Sequence, residues 1–114
     1  MPLCQELKKG SLQTLILSVL GRGPLHGYAI AREIKLRSDD VLSFGEGAIY
    51  PALRVMERQG LLLGTWQPQE SGPTRKVYEL TDSGREQYQA QLAAWDQFST
   101  AIGHVLKGAS NVSV

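Results

Sequence analysis

The spacing of the apolar residues changes twice along the chain, and this constrains the fold more than any other feature. Up to Gly60 the spacing is helical. Leu12, Leu15, Ile16, Val19 and Leu20 follow the i, i+3, i+4, i+7, i+8 pattern of a buried helical stripe. Ser11 is the expected N-cap of that helix, and Gly21, Gly23 and Pro24 its end. Ile30, Ile34 and Ala31 form a second, narrower face, closed by Ser38-Asp39-Asp40, with Val41-Leu42 as a candidate for a very short strand. Ile49, Leu53 and Met56 form a third face, ended by Gly60. Beyond Gly60, LLLGTWQPQ and TRKVYEL are rich in strand formers and flank the turn sequence ESGP, which predicts a hairpin. The helical spacing then returns. Tyr88, Leu92, Trp95, Ser99, Ile102 and Leu106 lie alternately four and three residues apart, widened by Phe98 and Val105, the spacing of a seam that packs on another helix.

Three short helices, a hairpin and a long helix predict a mainly α fold with a small β-hairpin. The layout is a winged helix-turn-helix plus a long C-terminal dimerisation helix. The expected boundaries are a winged helix-turn-helix DNA-binding domain over 1–80, the dimerisation helix over 81–107 and a flexible tail over 108–114. At 114 residues the chain holds one such domain. No apolar run approaches the roughly 20 residues of a membrane span, so no membrane partner is expected. The N-terminus lacks the apolar centre of a signal peptide. One cysteine, Cys4, excludes an intrachain disulfide and reads as a reduced terminal thiol of unassigned role. These features suit the cytoplasm. The net charge of +1 excludes nucleic-acid binding by bulk charge alone, so any DNA contact must come from placed residues.

Four segments together carry a family resemblance: LHGYAI from Leu25, GAIYPAL from Gly47, MERQGL from Met56 and GPTRKVYELTDSG from Gly72. Over about residues 7–106 the chain resembles the PadR-like transcriptional regulators, specifically the short subfamily with a single C-terminal helix. The resemblance implies a prokaryotic regulator, usually a repressor, that dimerises through its last helix. Two positions depart from the pattern: Ala48 stands where threonine is common, which removes one hydroxyl contact to DNA, and Val77 stands where an aromatic is common.

The third helix contains a proline near its start. Pro51 cannot donate to the Gly47 carbonyl and crowds it, a cost of ~3 kcal/mol if the helix stays regular. Gly47 can shift to relieve that clash, so the two read as a matched pair. Ser43 and Glu46 fit a capping box, but a start at Gly45 or Glu46 leaves Pro51 nearer the end and Ser43 free for phosphate. Gly45, Gly47 and Ala48 let this end approach another backbone closely. Such elements read bases with their N-terminal residues while phosphate contacts set the register. The candidate DNA contacts are Ser43, Gly45, Ala48, Tyr50, Pro51 and Arg54 on the helix, with Arg75 and Lys76 on the wing. Each has a plainer reading. Tyr50 could pack beneath the wing, Arg54 could be a solvated charge, and Arg75 and Lys76 could serve solubility. Lys8 and Lys9 are further candidates for flanking phosphates.

Alone, the long helix would expose Tyr88, Leu92, Trp95, Phe98 and Ile102, a larger apolar patch than a monomer carries. A second copy covers it economically and gives a twofold dimer whose operator is an inverted repeat. The expected interface, or effector pocket, comprises Leu12, Tyr88, Leu92, Trp95, Phe98, Ser99 and Ile102. Trp95 either fills the dimer core or stacks a planar aromatic small molecule. His26 and His104 lie far apart without a carboxylate motif, no metal-ligand spacing occurs, and no cofactor is expected. The chain therefore reads as a sequence-specific DNA-binding repressor released by a small aromatic effector, and not an enzyme. The alternative is a winged helix used as a protein–protein interaction module without DNA.

Overall fold

A computed structural model describes residues 5–108, with the side chains of residues 5–10 outside the description. The readings for Cys4, Lys8, Lys9 and the tail beyond Gly108 lie outside the described residues or side chains. In chain order the elements are α1 (Gln5–Leu20), β1 (Leu25–His26), α2 (Gly27–Arg37), α3 (Glu46–Arg58), β2 (Leu62–Gln67), β3 (Arg75–Leu80) and α4 (Asp82–Lys107).

Helix α1 starts at Gln5, so Ser11 lies within it and does not cap it. Its burial is wider than one stripe. Leu12, Ile16, Leu17, Val19 and Leu20 are all buried, while Leu15 is only partly so. The reason is that α1 packs against α2, α3, α4 and β3, whereas a stripe serves one partner. Leu12, expected also at the dimer interface, is 7% exposed and belongs to this core. Ile30 and Ile34 of α2, Ile49, Leu53 and Met56 of α3, and Leu62, Tyr78 and Leu80 of the strands complete it. Fully burying such a side chain contributes ~1.5–3 kcal/mol, so this apolar cluster dominates the stability of the domain.

The sheet has three antiparallel strands in the order β1-β3-β2, one more than the hairpin the sequence suggested. Leu25 and His26 pair with Tyr78 and Val77 before Gly27 opens α2. Val41-Leu42 forms no strand. The Val41 N–H bonds to the Ser38 carbonyl at 3.0 Å, and the Leu42 N–H donates to Ser38 Oγ at 2.9 Å, which closes a turn. Asp39 and Asp40 take positive φ in that turn, 52° and 67°, a region short polar side chains tolerate.

Helix α3 starts at Glu46, after an extended Gly45 whose cap position has no side-chain hydrogen bond. The Ser43–Glu46 capping box does not form. The helix runs unbroken through Pro51 to Arg58. It ends in a Schellman motif, with the Leu61 N–H on the Met56 carbonyl and the Gly60 N–H on the Glu57 carbonyl, both at 3.0 Å. Gly60 supplies the positive φ this requires, 79°.

The LTDSG segment fastens α4 to that turn. The Thr81 N–H donates to the Leu61 carbonyl at 3.1 Å. Thr81 Oγ1 donates to the Gly60 carbonyl at 2.6 Å and accepts the Gly84 N–H at 2.9 Å, capping α4. A Cβ on Gly84 would overlap the Leu61 carbonyl oxygen. Only the first half of α4 has company. Thr14 Oγ1 donates to Gln91 Oε1, and Tyr88 is partly buried, its ring lying where a Cβ on Gly21 would be 3.1 Å away. Tyr88 therefore leaves the exposed seam and joins the edge of the core. From Leu92 onward nearly every residue is exposed, and the molecule is drawn out to 61 × 32 × 21 Å.

Gly84→Ala should destabilise the fold by about 1–3 kcal/mol, the range for overpacking against fixed neighbours. Urea unfolding with an unchanged m-value would check it. A stability equal to the unsubstituted chain would show that the α4 junction yields easily.

Candidate nucleic-acid interface

Helix α3 presents two faces beyond its buried one. The outward face is Gly47, Pro51, Arg54 and Arg58, spaced four, three and four apart and all exposed, with Ser43, Gly45, Glu46 and Ala48 exposed at its leading end. Small residues come first along this face and cations later. The second face, formed by Tyr50, Arg54 and Glu57, turns toward the wing. No internal contact accounts for the leading glycines. A Cβ on Gly45 or Gly47 would meet nothing within 4 Å, and neither has positive φ.

Between α3 and the wing lies an open cleft of about 560 Å³. Tyr50 and Arg54 line it from α3, and Trp66, Gln69, Arg75, Lys76 and Tyr78 from the wing. His26 and Tyr28 close its third side. Tyr50 is partly buried and packs on Gly27, where a Cβ would come within 2.5 Å of its ring. Tyr50 thus takes the packing position beneath the wing and also borders the cleft. The glycine of LHGY and the tyrosine of GAIYP are two halves of one contact.

The two wing cations differ. Arg75 is exposed and belongs to the last strand pair before the wing turn, opposite Gln67. Lys76 points back from the tip. Its Nζ lies 2.9 Å from Glu57 Oε1 and 5.7 and 5.5 Å from the Trp66 and Tyr78 ring centroids. The hydrogen bond that the Lys76 ammonium donates to the Glu57 carboxylate raises the Lys76 pKa, keeping the amine charged. Burial raises the Tyr78 phenol above its usual range. At the wing turn Gln69 Nε2 donates to the Pro73 carbonyl.

His26 caps α2, its Nδ1 accepting the Ala29 N–H at 3.4 Å. Its ring stacks on Tyr28 with centroids 6.4 Å apart, and the Arg32 guanidinium lies 5.7 Å from the centroid of Tyr28. Burial, then Arg75, then Arg32 lower its pKa. Trp66, Arg58, Glu57 and His26 were not among the expected site residues. Trp66 had a signal, an aromatic inside a strand beside polar residues, but nothing in the sequence showed which face of the sheet it would take.

On α4, Leu92, Trp95, Phe98 and Ile102 form the exposed apolar stripe, with Trp95 at 48% and Phe98 at 53% exposure. The Trp95 and Phe98 centroids are 5.7 Å apart at a 38° tilt. Ser99 is exposed beside them, its hydroxyl donating to the Asp96 carbonyl at 3.3 Å. Among the described residues no cluster of His, Cys, Asp or Glu could hold a metal, and no helix is long and apolar enough to cross a membrane.

The family pattern described as "Transcriptional regulator PadR-like family" matches residues 16–90. The chain belongs to the PadR-like family. Its members are transcriptional regulators rather than enzymes. This PadR-like chain is 32% identical over 76 residues to the negative transcriptional regulator PadR of Bacillus subtilis, a match covering 67% of this chain and 42% of that protein. The crystal structure of a PadR-like regulator from Bacillus cereus superposes with a TM-score of 0.78 at 31% identity, covering 90% of this chain and 98% of that one. The structure of Bacillus subtilis PadR in complex with operator DNA superposes with a TM-score of 0.66 at 31% identity, covering 71% of this chain and 46% of that one. The chain thus spans under half of the Bacillus subtilis protein and nearly all of the Bacillus cereus chain. The winged helix-turn-helix fold expected from the sequence is the family's fold.

Because its folded-state pKa lies below the reference 6.5, His26 is favoured neutral in the folded state. Its contribution to stability is present above that reference and is lost as pH falls through it toward the folded value. NMR titration of the ring should give a midpoint below 6.5, and His26→Gln should remove that part of the acid-side slope in urea melts. A midpoint above 6.5 would contradict the cap.

Proposed function

We propose that this PadR-like regulator binds an operator in double-stranded DNA and represses transcription from it. In this reading the leading end of α3 enters the major groove, and the wing follows the backbone. The observation that carries it is the pair of leading glycines, Gly45 and Gly47, whose missing side chains leave space that no neighbour in the chain fills. That space admits an external backbone at close range, and a helix N-terminus favours phosphate. Ser43, Gly45, Ala48 and Pro51 then form the close approach. Arg54 and Arg75 supply charge on either side of the cleft, and Tyr50 sits at its floor. The Bacillus subtilis relative in complex with operator DNA favours DNA over a protein partner.

The stripe of Leu92, Trp95, Phe98 and Ile102 then pairs with the same stripe of a second copy. This assigns 1–80 to DNA binding and 81–107 to dimerisation. A twofold dimer sets two α3 helices about one DNA turn apart, ~34 Å, and calls for an inverted repeat. Trp95 and Phe98 could also stack a planar aromatic effector whose binding shifts that spacing and releases the DNA.

Gly47→Ala should raise stability by about 0.5–1 kcal/mol, because alanine favours a helix interior over glycine. The same change should weaken binding at least tenfold, by fluorescence anisotropy on a duplex enriched from a randomised pool. Undiminished affinity in Gly47→Ala and in the bulkier Gly47→Leu would remove the close-approach argument. Absence of binding to any duplex at low salt would favour the protein–protein module.

Sedimentation at micromolar concentration should find a dimer, and Phe98→Asp a folded monomer with sharply reduced operator affinity. A folded, monomeric unsubstituted chain would end the paired-helix reading. In a Trp66→Phe background, quenching by planar aromatic compounds reports Trp95 alone. Fluorescence unmoved by any of them would end the effector role.

A further inference from the structure

Lys76 was expected to reach DNA from the wing, yet its ammonium group is turned to Glu57 on α3. It lies opposite Trp66 in the β2–β3 register and shares a sheet face with Gly64 and Tyr78. From there it crosses the position of Gly64 to reach Glu57 on α3. Gly64 makes the crossing possible. A Cβ there would lie 2.5 Å from Lys76 Cε and 3.0 Å from Glu57 Oε2. The ammonium sits between the Trp66 and Tyr78 rings, with both partners of the ion pair about a quarter to a third exposed. Glu57 lies one turn beyond Arg54 on the α3 face that carries Tyr50, so the ion pair joins the reading helix directly to the wing. Arg54 and Arg75 remain outside it: among the described residues Arg54 carries no ion pair, and Arg75 stays exposed at the end of the last strand pair.

We propose that Glu57 and Lys76 are positioning residues that fix the wing against α3, so that Arg54 and Arg75, and not Lys76, make the cleft's phosphate contacts. This rests on the DNA-binding reading above. The pair has a second electrostatic effect. Without Glu57, the Lys76 charge beside Arg54 and Arg75 would go unneutralised, strengthening attraction to any duplex and weakening discrimination between sequences. Phosphate contacts give affinity without sequence information, whereas the register they set allows bases to be read.

Salt dependence separates the two roles, because each phosphate contact adds about one to the slope of log affinity against log salt. The probes are a duplex enriched from a randomised pool by the unsubstituted chain and an unselected duplex of equal length. Arg75→Gln should lower the slope by about one. Lys76→Met should leave the slope unchanged but cut the preference for the enriched duplex about tenfold. Glu57→Gln should free the lysine, raising the slope on the unselected duplex by about one while the preference falls. A Lys76→Met slope lower by about one, with the preference intact, would overturn the proposal and make Lys76 an ordinary phosphate contact. A DNA-free measurement guards against variants that fold poorly. In Glu57→Gln the amides of β2 and β3 should exchange at least tenfold faster than in the unsubstituted chain, with α1 unaffected. Unchanged wing exchange would equally overturn the role. A chain that binds no duplex but shows this faster exchange would instead count against the DNA-binding reading alone.

Discussion

The junction at Leu61 is the constraint on which the rest of the arrangement depends. Its carbonyl accepts the Thr81 N–H, its own N–H closes the Schellman turn of α3, and Gly84 packs against it without a side chain. Thr81 adds a hydroxyl bond to the Gly60 carbonyl and caps α4 with the same oxygen. Four elements therefore meet within a few residues: the end of α3, the start of β2, the end of β3 and the start of α4. The wing is a loop returned to its origin, so its angle to α3 and the exit direction of α4 are set at one point. Hydrogen bonds here are individually modest, ~0.5–1.5 kcal/mol each, but the missing Cβ of Gly84 makes the packing intolerant of change.

Two candidate functional surfaces extend from the elements that meet at that junction. One is the outer face of α3 with the cleft beneath the wing, small at the leading end and cationic farther along. The other is the distal half of α4, apolar and uncovered. The first half of α4 is held by α1 through Thr14 and Tyr88, so the second half extends from a fixed base. In a pair of chains joined along that stripe, the distance between the two α3 helices would be inherited from the rigidity of this base.

Much of this was legible in the chain. The apolar spacing gave the helices and the hairpin because burial on one face imposes a period of 3.6 or 2. Gly60 stood out because a left-handed turn at a helix end needs particular chemistry. The open face of α3 followed from Gly45, Gly47 and Pro51. Less legible were features that depend on partners distant in sequence. Leu17, outside the expected stripe, is buried because α1 has several neighbours. Tyr88 is sheltered by the end of α1. Leu25-His26 becomes a strand only because β3 lies beside it, since two residues have no periodicity of their own.

The sequence by itself determined the order of the four helices and the hairpin, the membership of the apolar core in outline, and the family. Each of these rests on local spacing or on short motifs with a local chemical reason. Tertiary structure alone decided the direction of each charge. Arg75 and Lys76 are neighbours in the chain, and alternation in a strand says only that they part. Which of them turned toward Glu57 depended on the face that β3 offers to α3, and on the space left by Gly64 across the sheet. Charge is read from a sequence residue by residue, but where its field acts is set by what the fold places opposite it.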